Sequence, residues 1–304
     1  MTQSLNLSRL VISTALGPAG AGIFPYTLWP PYRRLLETVR ATGTTVFTKS
    51  ATRQPRRGNF VAANPLTWKY IRRLPGMGML NAYGLTNAGV EVVAPEMVPV
   101  VGRGCRVIPN LYPEFAKGTD LAITETLEAV GIYQRCLGSD FRALELNFSC
   151  PNAAEAVAEN MTQALACTRR LRERFPALAL IAKLSICHPY EFAQELERLG
   201  VFALHGVNTI PYDLLYPPAF HPPSPLQAVG GGGVSGGPAW EMAFTYNLGL
   251  RREVDCRLIM GCGVTTPTDV QRCLDAGADA VSLCTLALRD PGTAARIIAT
   301  YNTT

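Results

Sequence analysis

Eight short apolar runs recur along the 304-residue chain, and amphipathic segments separate several of them. The runs fall at residues 10–15, 45–49, 106–110, 143–147, 178–183, 203–208, 257–261 and 280–285. Most are apolar at odd and even positions alike. A strand with one wet face alternates, whereas a parallel strand covered by helices on both sides does not. Helical periodicity marks residues 121–135, 159–174, 190–199 and 267–276. The last opens with Thr266 as N-cap and Pro267 at the first helical position. Eight buried strands alternating with helices predict an α/β fold, a (β/α)8 TIM barrel occupying residues 1–304 as one domain.

Two segments break the rhythm. Residues 50–104 and the Pro- and Gly-rich residues 210–240 are too long for plain connections, and each follows the C-terminal end of a strand. Barrels build their sites on that face, so both are expected to form loops or hairpins over it. Composition narrows the rest. Hydrophobic residues make up 48% and charged residues 17%, which supports a full core and excludes a disordered chain. The net charge of +5 is scattered, apart from Arg53, Arg56 and Arg57. No basic stripe with interleaved aromatics accompanies them, so nucleic acid is not an expected partner. No apolar run approaches about 18 residues, so no membrane span is expected. The stretch after Arg9 is short, is interrupted by Ser13 and Thr14, and reads as the first strand rather than a signal peptide. The nine cysteines contain no CxxC and no cluster. That pattern argues against a disulfide framework, a zinc site or an iron–sulfur cluster, and points to a reducing cytoplasm.

Polar residues collect where the strands end: Lys49, Asn147, Lys183 and Asn208. Each costs free energy if buried without a partner. A shared polar cofactor pocket resolves that cost for all four. Asn147-Phe148-Ser149-Cys150-Pro151-Asn152 follows the fourth strand. Its two asparagines can clamp a planar amide ligand, and Cys150 stands among turn-forming residues rather than in a core run. Gly236, Gly237 and Gly263 allow close backbone approach. Residues 261–263 and Cys284-Thr285 follow the seventh and eighth strands, where barrels bind phosphate. His188, His205 and His221 have no evident carboxylate partner in the sequence and read as structural or surface residues.

These pieces resemble the dihydroorotate dehydrogenases, FMN-containing barrels of pyrimidine biosynthesis. The resemblance rests on Thr48-Lys49-Ser50, Pro55-Arg56-Arg57-Gly58-Asn59, Asn81-Ala82-Tyr83-Gly84-Leu85, the 147–152 segment, Lys183, Val207-Asn208-Thr209, residues 233–237, residues 261–263 and Cys284-Thr285, in the family's order over nearly the whole chain. It implies a flavoprotein oxidoreductase that converts dihydroorotate to orotate. Cys150 is then the base for C5, while hydride passes from C6 to flavin N5; Lys49 and Lys183 complete the catalytic set. Lys49, Asn81, Asn147, Asn152, Asn208 and Thr209 become the pyrimidine clamp. The amides of Tyr83, Gly84 and Leu85 receive the carboxylate. Lys183 lies by the flavin's N1/O2 edge. Ala15, Gly17, Lys49, Ser50, Asn147 and Asn208 line the flavin, and Gly236, Gly237, Gly263, Cys284 and Thr285 hold its phosphate. A cysteine base, rather than serine, resembles the soluble branch, in which homodimers are common. The chain departs from the family where paired glycines are usual and Cys262-Gly263 stands instead. It departs again in the proline-rich residues 211–225. Two other readings keep the flavin: an oxidoreductase of another cyclic amide or dihydropyrimidine, and a non-catalytic flavin-binding subunit.

Overall fold

A computed structural model describes residues 5–62, 64–148 and 161–303. Its strands, in chain order, are β1 (Leu10–Ser13), β2 (Thr45–Phe47), β3 (Ile71–Leu74), β4 (Gly78–Asn81), β5 (Arg106–Ile108), β6 (Asn110–Leu111), β7 (Ala143–Asn147), β8 (Ala179–Lys183), β9 (Ala203–Gly206), β10 (Ile210–Pro211), β11 (Gly233–Ser235), β12 (Arg257–Met260) and β13 (Ala280–Leu283). The helices are α1 (Pro30–Ala41), α2 (Val90–Val101), α3 (Thr119–Leu137), α4 (Met161–Arg174), α5 (Tyr190–Arg198), α6 (Tyr212–Leu215), α7 (Trp240–Glu253), α8 (Pro267–Asp275), α9 (Thr285–Arg289) and α10 (Pro291–Asn302).

Nine strands pair in parallel in the order β5-β2-β1-β13-β12-β9-β8-β7-β6. Only Pro109 separates β5 from β6, so the chain itself closes the ring. The expected third strand, residues 106–110, is split there. Proline has no N–H to give a ladder. β5 therefore bonds back to β2 and β6 forward to β7, while the Pro109 carbonyl still accepts from Glu145 N at 2.9 Å. The result is the (β/α)8 barrel that the apolar rhythm implies. Several strands end earlier than the apolar runs do. β1 stops at Ser13 because Thr14 takes a left-handed conformation with φ +60°, and Lys49 lies beyond the end of β2.

Side-chain alternation then fills the interior. Val11, Phe47, Ile108, Ala143, Ile181, Ala203, Ile259 and Ala280, one from each barrel position, form a closed apolar layer. Two residues further along the same strands stand Ser13, Asn110, Glu145, Lys183, His205 and Ser282, all buried. An apolar floor thus carries a polar layer. Leu144, Leu146, Leu180, Leu204 and Leu258 point outward to the helices and join the main core. The α8 start follows its sequence signals. Thr266 Oγ1 accepts from Asp269 N at 3.1 Å and Asp269 Oδ2 accepts from Thr266 N at 2.9 Å, a capping box. The last helix is tied to the first strand. Asn302 accepts from Leu10 N at 2.7 Å and donates to Leu10 O at 3.0 Å and to Thr44 Oγ1 at 2.7 Å.

The two segments outside the rhythm build one object. β3 and β4 come from the first, β10 and β11 from the second, and they join as an antiparallel sheet β10-β11-β4-β3. Leu80, Ala82, Tyr212, Leu226 and Val234 give it a small core of its own.

Phe47 is the largest side chain of the apolar floor and is fully buried, with its ring 5.4 Å from that of His205. Phe47→Ala is expected to cost about 3–5 kcal/mol, through lost burial and the cavity left in a closed barrel. Urea unfolding measures this; a loss under about 1 kcal/mol would show that the floor is not packed as described.

Candidate functional site

The polar layer and the loops above it bring most of the sequence-selected residues together. Asn147 ends β7 and is in register with Lys183 at the end of β8. Asn147 Nδ2 donates to Ser50 Oγ at 3.0 Å, linking β7 to the loop after β2. Lys183 Nζ donates across the barrel to Ser13 Oγ at 3.0 Å and is 5% exposed. Lys49 donates its backbone N–H to Gly17 O at 3.0 Å, which joins the loops after β1 and β2. Ala15 is buried between them, its carbonyl accepting from Tyr32 OH at 2.6 Å.

Lys49 Nζ lies 3.4 Å from the centroid of the Tyr83 ring, and Phe60 packs on the same ring at 4.8 Å. This contact brings the 83–85 turn beside the polar layer. Burial pushes the Tyr83 phenol up to about 12, so it stays protonated at neutral pH. Gly84 and Leu85 adopt φ +75° and +59° in succession. Leucine pays about 1–2 kcal/mol for that left-handed conformation. The Tyr83 carbonyl turns away and accepts from Asn59 N and Phe60 N at 3.1 and 3.2 Å. Among the described residues, no protein acceptor engages the N–H of Gly84 or Leu85. Successive N–H groups in such a turn form an anion-binding concavity. Asn81 at the end of β4 reaches Gly233 O at 3.4 Å. Asn208 follows β9, its N–H donating to Leu184 O at 2.8 Å. The neighbouring Thr209 hydroxyl is buried with no protein partner among the described residues.

A second corner collects Gly236, Gly237, Gly263, Cys284 and Thr285. Here the glycines answer to the protein's own backbone. A Cβ on Gly236 would fall 2.2 Å from Met77 O, and one on Gly237 would fall 2.2 Å from Gly76 O. Thr285 Oγ1 donates to Ser235 Oγ at 2.8 Å, and Cys284 Sγ lies 3.2 Å from Thr14 Oγ1. Cys262 occupies the left-handed region at φ +65°, where the family pattern has glycine.

Sequence reasoning missed the centre of the polar layer. Glu145 is fully buried on β7; its carboxylate accepts from Asn110 Nδ2 and pairs with His205 Nδ1. His205 therefore does have a carboxylate partner, contrary to expectation. The signal was the period of two: Glu145 shares its strand face with Asn147. His188 fits the structural reading. It is buried, its Nδ1 accepts from Ser185 N at 3.2 Å, and its ring packs on Phe192. His221 stands against Tyr216 in the proline-rich segment. Cys150 and Asn152 lie outside the described residues. Among the described residues, no group of three His, Cys, Asp or Glu could hold a metal, and no helix is long and apolar enough to cross a membrane.

Comparisons with known proteins agree with this architecture. A crystal structure of DHODH from Eimeria tenella in complex with ferulenol superposes with a TM-score of 0.66, covering 96% of this chain and 79% of that one at 20% identity. The ligand-free enzyme from the same organism gives 0.63, covering 84% and 76%, also at 20% identity. These likenesses establish the barrel fold. In sequence, the chain is 30% identical over 219 residues to the catalytic subunit of dihydroorotate dehydrogenase B (NAD(+)) of Oceanobacillus iheyensis, covering 70% of this chain and 68% of the relative. It is 29% identical over 259 residues to the Geobacillus kaustophilus protein of the same name, covering 84% and 76%. The family model described as dihydroorotate dehydrogenase matches residues 34–303, and with that span the chain belongs to the dihydroorotate dehydrogenase family, a family of oxidoreductases acting on CH–CH bonds.

Proposed function

We propose that this chain oxidises dihydroorotate to orotate with bound FMN, and that Cys150 is the base. The observation that carries the reading is one juxtaposition: the 83–85 turn, with its left-handed Gly84 and Leu85, lies against Lys49 at the rim of a buried layer holding Asn147 and Lys183. An anionic group beside a planar ring of amides is the ligand such a rim suits.

The donor set fits a flavin. Lys183 is a buried cation bonded to a neutral hydroxyl, and Thr209 offers a buried hydroxyl without a protein partner among the described residues. Lys183, Ser50, Asn147 and Asn208 would meet the ring system, with Ala15 and Gly17 lining it. Gly236, Gly237, Gly263, Cys284 and Thr285 would hold the phosphate. Bound there, FMN would supply the two-electron acceptor that takes the C6 hydrogen as hydride.

The chain's own residues do the rest. Lys49 and the 83–85 amides hold the carboxylate and so fix which face of the substrate is presented. Asn81, Asn147, Asn152, Asn208 and Thr209 pair with the donor and acceptor edges of the ring. A substrate lacking those edges would leave these groups unpaired, which penalises other cyclic compounds. C5 lies beside a carbonyl, so the charge left on losing its proton is delocalised. Cys150, as thiolate, takes that proton: an S–H bond forms as C5–H breaks, and the C5–H electron pair becomes the C5=C6 bond of orotate as hydride leaves C6. Lys183 supplies fixed positive charge where the cofactor gains electrons.

Both bacterial relatives are named as catalytic subunits of an NAD(+) enzyme, which supports reoxidation through a partner chain. A homodimer and a cytoplasmic setting complete the proposal.

The purified protein is expected to show a flavin spectrum that bleaches when dihydroorotate is added without oxygen. A colourless protein that takes up no FMN would remove the cofactor, and a flavin that stays yellow would remove the substrate. For the base, Cys150→Ala is expected to slow anaerobic bleaching by about 10²–10⁴-fold, the usual contribution of a positioned proton acceptor, with dihydroorotate still bound. Bleaching at the parent rate would exclude Cys150 from the proton transfer.

A further inference from the structure

Glu145 belongs to none of the roles described above. It sits at the middle of β7, in register with Ile181 and one side-chain step below Lys183 on the neighbouring strand. It is fully buried, as is Asn110, and His205 is 1% exposed. A carboxylate in such a place is tolerated only when paired and hydrogen-bonded. Both conditions are met. Asn110 Nδ2 and His205 Nδ1 donate to its two oxygens, and the Lys183 ammonium supplies the opposite charge.

Protonation follows from the same surroundings. Burial pushes the Glu145 carboxyl up, but the Lys183 charge and the hydrogen bonds from His205 and Asn110 outweigh it and hold it below its usual range. Burial lowers the His205 imidazole; the Glu145 charge and hydrogen bond oppose that, and Lys183 adds to it. The layer already holds one cation and one anion, so a charged imidazole would leave a net positive charge in a closed interior. His205 is thus neutral, with its proton on Nδ1 facing Glu145. Nε2 faces Gly261, where a Cβ would come within 3.5 Å of it.

We propose that Glu145 is a positioning residue that sets the net charge beneath the cofactor: by neutralising Lys183 it lowers the reduction potential of bound FMN, while His205 and Asn110 hold its carboxylate in place. Because the inference rests on the FMN reading, it is tested by the potential of the bound flavin rather than by turnover. A lone ammonium would favour the reduced cofactor strongly and leave it reluctant to pass electrons on. Its counter-charge moderates that preference. A role confined to stability would leave the potential where it was.

The experiment is spectroelectrochemical titration of the FMN-loaded parent, Glu145→Gln, His205→Asn, Lys183→Gln and the Glu145→Gln/Lys183→Gln double variant. Glutamine keeps the shape of Glu145 and removes its charge; its NH2 group replaces one accepting oxygen, and the Asn110 amide, whose Oδ1 has no partner among the described residues, can turn to accept from it. E145Q is expected to favour the reduced flavin at least tenfold, a rise of about 30 mV for a two-electron couple. K183Q is expected to move the potential the other way, with the double variant between the two. H205N removes a neutral ring and is expected to stay within threefold of the parent. If E145Q does not fold, the double variant against K183Q isolates the same change with both buried charges gone, and the same upward direction is expected. An E145Q potential equal to the parent's, or no rise of the double variant above K183Q, would overturn the inference. An H205N shift as large as that of E145Q would overturn the neutral assignment of His205 and the charge balance built on it. A parent that binds no FMN would overturn the functional reading itself, and so stands apart from those failures.

Discussion

Two opposite charges share the interior of a barrel whose lower layer is wholly apolar, and the upper half of the molecule is arranged around keeping them there. Lys183 and Glu145 have no water to retreat to. Each must be answered by protein, and the answers come from three barrel positions: Ser13 on β1 for the ammonium, Asn110 on β6 and His205 on β9 for the carboxylate. Hydrogen bonds of this kind strengthen where the dielectric is low, and a missing partner costs correspondingly more. The polar layer therefore fixes the mutual rotation of the strands that carry it. Asn147, two residues past Glu145 on the same face, inherits that placement.

Above the barrel, position is passed on by close backbone contact. The hairpin of β3 and β4 turns at Gly76 and Met77, whose carbonyls lie where side chains at Gly237 and Gly236 would be. Leu80 of β4 pairs with Val234 of β11, and Arg289 of α9 donates to the carbonyls of Leu74 and Gly78. One small sheet thus carries Asn81 and leads into the 83–85 turn at one end, and enters the glycine corner at the other. The 83–85 turn and the glycine corner thus lie at the two ends of one small sheet.

Much of this was legible in the sequence because unbroken apolar runs, and the polar residues that end them, report the barrel strands directly. Lys49, Asn147, Lys183 and Asn208 could be chosen because a polar residue closing an apolar run is conspicuous. Glu145 was not, because it lies inside such a run and resembles an ordinary interruption. Nor did α2 announce itself. Its stretch is β-branched and contains Pro95 and Pro99, a poor helix by propensity, yet Val90, Val93, Ala94, Met97 and Val100 give it one buried face. Packing on α3 outweighs the weak local preference. The pairing of β4 with β11 joins residues more than 150 positions apart, such as Asn81 and Gly233, and no local pattern encodes such a contact. The Gly236 and Gly237 pair was read as making room for a ligand. The structure gives its first reason as room for another loop.

The chain's thiols sort by the same logic of burial. Burial pushes Cys167, Cys256, Cys262 and Cys273 up to about 12, so at neutral pH they carry almost no thiolate. A thiol in that condition neither takes protons nor attacks electrophiles. Cys262 is the instructive case, since it borders the glycine corner and stands where the family pattern has glycine. Its backbone is held at φ +65° and its sulfur lies against the Val234 carbonyl at 4.0 Å, which makes it a packing residue in a strained seat rather than a second reactive group. Burial thus sets these four apart from Cys187, which is exposed; Cys105, Cys136 and Cys284 are half-buried.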